Sequence, residues 1–230
     1  MEKKDVDFIE ACKEEPSLVF TLIKQGNYEV VEELINENLV NVNIVDSVGN
    51  DVVTRLLKAQ QYDLVFELMK KRNWDVNHQN ADGNTFAHIL ANDDSLFTVK
   101  IAEQLIKKKN YIPNIKNKKG ETALDRSINN NYICTAFKLL GDKKYNNIDV
   151  TQFRNLFNAC IKNKYYGKYS KINNLEIIIE NLEKKDLSPT LRRIVDNISD
   201  NFDLIKNDIM NNNHSILDTI IDYSSDEVIA

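Results

Sequence analysis

The sequence predicts an all-α chain: an α-solenoid of stacked helix–turn–helix repeats closed by a helical C-terminal cap. Three observations carry that expectation. Glycines 49, 83 and 120 recur at intervals of 34 and 37 residues, each six residues after an asparagine, in Val42-Asn43 to Gly49, Val76-Asn77 to Gly83 and Pro113-Asn114 to Gly120. A repeat of this length marks a stacked architecture. Apolar residues between the turns fall at helical spacing, as in Val30, Val31, Leu34 and Ile35. Finally, 230 residues hold only six glycines and three prolines and almost no β-branched alternation, which leaves little material for strands and hairpins.

In chain order, Val6 to Lys13 reads as a short helix stopped by Pro16, because proline cannot continue a helix and restricts the residue before it. Ser17 is expected to cap a second helix, Leu18 to Lys24, which ends where Gly26 suits a left-handed turn. A longer amphipathic helix, Asn27 to Ile35, then leads into the first Asn…Gly turn. The unit recurs as Val52 to Ala59 with Tyr62 to Lys71, as Phe86 to Ala91 with Leu96 to Lys108, and as Ala123 to Ile128 with Tyr132 to Leu140. Asp93-Asp94-Ser95 supplies an acidic start at the positive N-terminus of the helix it precedes.

Gly83-Asn84-Thr85-Phe86-Ala87-His88, Gly120-Glu121-Thr122-Ala123-Leu124 and Gly26-Asn27-Tyr28-Glu29-Val30-Val31-Glu32-Glu33-Leu34-Ile35 together resemble the ankyrin-repeat family. That family carries Gly-x-Thr-Pro-Leu-His and Gly-His-x-Glu-Ile-Val-x-x-Leu-Leu at these places. Explicit matches span residues 17 to 149. Val52, Phe86 and Ala123 stand where the family has proline, and Asp51 replaces its threonine, so the helix starts are expected to be less well fixed and the array less stable. The resemblance divides the chain into an N-terminal helix with four repeats (1–149), a degenerate fifth repeat with an inter-helix insertion at 163–171 (150–186), and a helical cap (187–230). In the cap, Ser188-Pro189 opens a helix to Ile198 by a capping serine and a first-turn proline. Helices at Asp200 to Met210 and Ser215 to Tyr223 follow.

A formal net charge of −5 disfavours a general phosphate-backbone binder, so no nucleic-acid partner is expected. No stretch approaches the roughly 20 apolar residues of a membrane span, and acids occupy the N-terminus where a signal peptide needs an apolar run. A cytoplasmic monomer is the expectation. Cys12, Cys134 and Cys160 are far apart and odd in number, which suits buried thiols: Cys134 and Cys160 read as core, and Cys12 lies nearer an edge. There is no phosphate-cradling Gly-Lys-Thr loop, no Gly-x-Ser-x-Gly and no paired His or Cys ligand spacing, so no cofactor, metal or enzymatic activity is expected. Lys164-Tyr165-Tyr166-Gly167-Lys168-Tyr169 interleaves aromatics with lysines, as stacking platforms do. On an acidic chain it reads better as a protein contact or plain loop. The stretch from Asp196 onward is acidic and reads as a solubilising end or a docking surface for a basic partner.

His88 is the most tempting catalytic or metal-ligating candidate. The family resemblance implies a structural role for it instead: its imidazole would hold the Thr85 hydroxyl and turn backbone and lock one repeat to the next. His78 falls in a turn tip and is a possible contact residue. The resemblance further implies a non-enzymatic platform that binds another protein on a concave face of turn tips and short helices. The face would comprise Asp46, Ser47, Val48, Asn50 and Lys58; Ala81, Asp82, Asn84, Asn92 and Asp93; and Lys118, Lys119, Glu121, Asn129 and Asn130. Two other readings stand beside it. One is a host-directed effector or viral antagonist that uses the same stack. The other is an enzyme carried by the C-terminal helices.

Overall fold

A computed structural model describes residues 3–71, 73–141, 148–162 and 167–211. Every named element among them is an α-helix: α1 Lys3–Glu14, α2 Leu18–Gln25, α3 Tyr28–Asn36, α4 Val52–Lys58, α5 Tyr62–Met69, α6 Phe86–Leu90, α7 Leu96–Leu105, α8 Ala123–Asn129, α9 Ile133–Leu140, α10 Val150–Lys162, α11 Lys168–Glu183, α12 Pro189–Asp200 and α13 Phe202–Met210. None of these is long and apolar enough to cross a membrane. Two compact units divide the chain, Met1–Ala123 and Leu124–Ala230.

In the first unit the helices pair as their apolar spacing requires: α2 with α3, α4 with α5, and α6 with α7. The short first helices also pack on one another, α2 on α4 and α4 on α6, and α5 packs on α7. Val19, Val31, Leu34, Leu56, Val65, Leu68, Leu90, Ile101 and Leu105 fill the spaces between and are almost wholly shielded from solvent. Each such side chain contributes about 1.5–3 kcal/mol by leaving water.

The helix boundaries show which residues fix them. Gly26 takes φ +80, and the N–H groups of Gly26 and Asn27 close the end of α2 onto Ile23 and Leu22. Ser17 does not cap α2. It already has helical torsions, and its hydroxyl donates to Glu15 Oε1 at 2.9 Å. Asp51 overturns the expectation of a poorly fixed start for α4. Its Oδ1 accepts the Thr54 N–H at 2.7 Å, as an N-cap should, and its Oδ2 accepts the indole N–H of Trp74 at 2.9 Å. A carboxylate has two oxygens where threonine has one, so Asp51 caps the helix and anchors the next segment at once. Trp74, buried, also meets the Phe86 ring edge-on, with centroids 5.0 Å apart.

In the second unit α9 packs against both α10 and α11, and α11 against α12 and α13, around Phe153, Leu156, Phe157, Leu175 and Ile178. Ser188 caps α12 as expected, its Oγ accepting the Leu191 N–H at 3.3 Å, with Pro189 in the first turn. Because α11 begins at Lys168, residues 168–171 of the expected insertion are helical. Residues 163–166 of that insertion, together with His214 and the helix expected at Ser215 to Tyr223, lie outside the described residues.

None of the three cysteines forms a disulfide. Cys12 and Cys160 are buried, as expected of buried thiols, and Cys134 is half-buried where a core position was expected. Burial, with the neighbouring Cys134, pushes the Cys160 thiol far above its ordinary range, and burial alone raises that of Cys12. Since the thiolate is the reactive form, a disulfide reagent at about pH 8 is expected to spare Cys12 and Cys160 in the native protein and to label Cys134 first. All three should react in denaturant. Fast native labelling of Cys160 would contradict this packing.

Candidate functional site

The Asn…Gly turns build the surface that the sequence singled out. Each turn is closed by the side chain three residues before its glycine. Asp46 Oδ1 accepts the N–H groups of Val48 and Asn50, Asn80 Oδ1 those of Asp82 and Asn84, and Asn117 Oδ1 those of Lys119 and Glu121, all at 2.9–3.1 Å. An Asx side chain that bonds its own backbone two residues on is a turn in itself. The glycine then takes a left-handed φ, +77 at Gly49 and +75 at Gly83.

Successive turns are tied together. The Ala81 N–H donates to the Val48 carbonyl and the Lys118 N–H to the Asp82 carbonyl, both at 3.0 Å. Beside them runs a side-chain ladder: Asn80 Nδ2 to Asn50 Oδ1, and Asn117 Nδ2 to Asn84 Oδ1, both 2.9 Å. Farther back, the asparagines six before Gly49 and Gly83 clamp the following segment. Asn43 donates to the Asn73 carbonyl and accepts from the Asp75 N–H, and Asn77 does the same with Asn110 and Ile112. These partners lie about one sequence period apart.

His88 occupies the middle of this lattice, 1% exposed. Its Nδ1 faces the Thr85 N–H at 3.1 Å and the Thr85 hydroxyl at 2.8 Å, so Nδ1 is an acceptor. Nε2 therefore carries the proton and donates to the Glu121 carbonyl at 2.9 Å. Both nitrogens are committed, in the structural role expected. His78 is likewise held, its Nε2 lying 2.8 Å from the Gly49 carbonyl.

The expected contact residues separate into two groups. Ser47, Val48, Lys58, Ala81, Asp82, Lys118 and Lys119 are exposed on the turn tips or on α4, and Asn92, Asp93 and Glu121 are half-buried beside them. Asn50 and Asn84 are buried, 1% and 8% exposed, because they are the rungs of the ladder. Asp46 is also turned inward and pairs with Arg55. Asn129 and Asn130 belong to the second unit and are exposed at the end of α8.

Sequence reading missed an apolar patch next to Asp93. Leu96 is 79% and Phe97 50% exposed at the start of α7. The Phe97 ring stacks on Tyr62, centroids 4.8 Å apart and planes 6° from parallel, and the Tyr62 hydroxyl reaches Asp93 Oδ2 at 3.4 Å. The available signal was register: α7 starts 13 residues after Gly83 as α5 starts 13 after Gly49, so Leu96 and Phe97 stand in the places of Tyr62 and the exposed Asp63.

A cleft of ≈ 710 Å³ lies at the other end of the turn row, between α2, the Tyr28 end of α3, the first turn and α4. There the Asp46 carboxyl sits below its ordinary pKa. Burial pushes it up, but the Asn50 and Val48 N–H groups and the Arg55 guanidinium together outweigh burial. A group so lowered contributes stability above the unfolded aspartate value, near 3.9, that is lost as pH falls through the folded value. Asp46→Asn keeps the turn, as Asn80 and Asn117 do, and loses the ion pair. With Arg55 partly exposed the expected loss at neutral pH is about 1 kcal/mol or less. The gap between variant and wild type in urea unfolding should close in acid. A gap that widened in acid would contradict the assignment.

No protein-family model matches the chain, and no curated protein matches it.

Proposed function

We propose that the first unit is an array of ankyrin-type repeats serving as a non-enzymatic platform for another protein, which contacts the turn tips and the side of the short helices. The observation that carries this reading is the turn-to-turn lattice. Two backbone hydrogen bonds, two asparagine rungs and the His88 bridge hold the tips at 47–48, 81–82 and 118–119 side by side, with exposed side chains and little freedom to move. A surface ordered before binding does not pay that ordering cost on association. The Leu96–Phe97–Tyr62 patch supplies the apolar and aromatic anchor on which interface energy concentrates.

The test is capture of partners from a native lysate by wild type, by Leu96→Asp/Phe97→Asp and by Lys118→Glu/Lys119→Glu, with thermal unfolding monitored through Trp74. A partner bound by wild type and lost by at least about tenfold in the first variant, at unchanged melting temperature, is the expected result. Equal recovery by both variants would contradict the reading.

A further inference from the structure

The turn row has an unfinished end. Ala81 and Lys118 occupy equivalent places in their turns, and each donates its backbone N–H to the carbonyl of the turn before it. Ser47 is the equivalent residue of the first turn, and among the described residues no earlier turn offers it a carbonyl. Asn50 tells the same story from the side-chain ladder. Its Oδ1 accepts from Asn80, while its Nδ2, on a residue 1% exposed, has no partner. Asp46, which replaces the donating asparagine of the later turns, has no amide to offer an earlier one and is satisfied by Arg55.

Where a preceding turn would stand there is the ≈ 710 Å³ cleft. Phe20 and Lys24 of α2, Tyr28, Val45, Ser47 and Lys58 line it. Val45 is 43% exposed although it bridges to Asp51 as the minimal antiparallel pair of this turn. Lys24 and Lys58 are exposed, and among the described residues neither takes part in an ion pair. The lining thus mixes the apolar Phe20, Ile23 and Val45 with the hydroxyls of Ser17, Thr21 and Tyr28 and the cations Lys24 and Lys58. Its one carboxylate, Asp46, is already paired, and its open backbone donor has counterparts elsewhere in the row that bind peptide carbonyls.

We infer that this cleft takes an extended acidic peptide segment of a partner protein, which completes the row. One peptide carbonyl accepts from the Ser47 N–H, alternate apolar side chains rest against Phe20, Tyr28 and Val45, and the intervening carboxylates face Lys24 and Lys58. Strand addition of this kind draws affinity from main-chain hydrogen bonds and selectivity from alternate side chains. The cleft includes the Ser47 tip and Lys58 of the proposed platform, so the inference rests on that reading, but its lining does not include the Leu96–Phe97 patch.

The probe is an acetylated, amidated eight-residue peptide alternating glutamate and valine, titrated into the isotope-labelled full chain and followed by amide NMR. Saturable binding that moves the Ser47 amide, weakens with added salt, and falls by about tenfold or more in Lys24→Glu/Lys58→Glu is the expected result. Phe97→Asp should bind the peptide as wild type does, which separates failure here from failure of the platform reading. The same peptide with lysine in place of glutamate serves as the control. Binding that leaves Ser47 unmoved, that survives the charge reversal, or that is equal for the lysine peptide would overturn the inference. So would absence of binding at about 1 mM, or preferential binding of an oligonucleotide at the same residues.

Discussion

Gly83→Ala is expected to destabilise the first unit by about 3 kcal/mol, whereas Gly120→Ala should cost only about 1–2 kcal/mol. Both glycines have nearly the same left-handed φ, +75 and +78, so the intrinsic penalty of a side chain is shared. What differs is the neighbour. A Cβ at Gly83 would stand 2.8 Å from the Lys118 backbone nitrogen and 3.2 Å from the Asn117 Cα, while among the described residues nothing lies within 4 Å of a Cβ at Gly120. Backbone cannot swing aside as the end of a flexible side chain can, so the extra cost reports the closeness of one turn to the next. Urea unfolding followed by the fluorescence of Trp74, the single tryptophan, measures it. Equal losses in the two variants would mean that the turns are not stacked as described.

His88→Ala should lower stability by a comparable amount, about 3 kcal/mol. It removes the acceptor for the Thr85 N–H and the donor to the Glu121 carbonyl, leaves polar groups unpaired in a buried setting, and opens a space the size of an imidazole. His78→Ala removes one bond from a half-buried ring and should cost about 1 kcal/mol or less. The same unfolding experiment checks both. A loss at His88 no larger than that at His78 would contradict the bridging role.

The Asn…Gly turns, the end of α2 and the start of α12 were legible in the sequence because they depend on local chemistry. The periodic glycines marked the turns, which the structure shows to be closed by an Asx residue three before each glycine, while Gly26 ends a helix and Ser188-Pro189 begins one. Positions set by contacts across the period were not legible. Asn50 and Asn84 look like surface asparagines beside a turn and are buried because Asn80 and Asn117 reach back to them. Asp51 looked like a flawed threonine position until Trp74, 23 residues on, was found on its second oxygen. Ser17 does not cap because its own torsions are already helical and its hydroxyl bonds Glu15, which the sequence pattern alone does not show. The Leu96–Phe97 patch escaped notice because an apolar residue at the start of a helix suggests burial, whereas the equivalent start of α5 carries Tyr62 and Asp63, half-buried and exposed.

The lattice of turns is the basis of both functional readings, and native-state amide hydrogen exchange tests it most directly. The account predicts that the Ala81 and Lys118 amides exchange slowly, only through opening on the scale of the first unit, while the Ser47 amide in the equivalent place of the first turn exchanges fast. Exchange at Ala81 and Lys118 as fast as at Ser47 would contradict it.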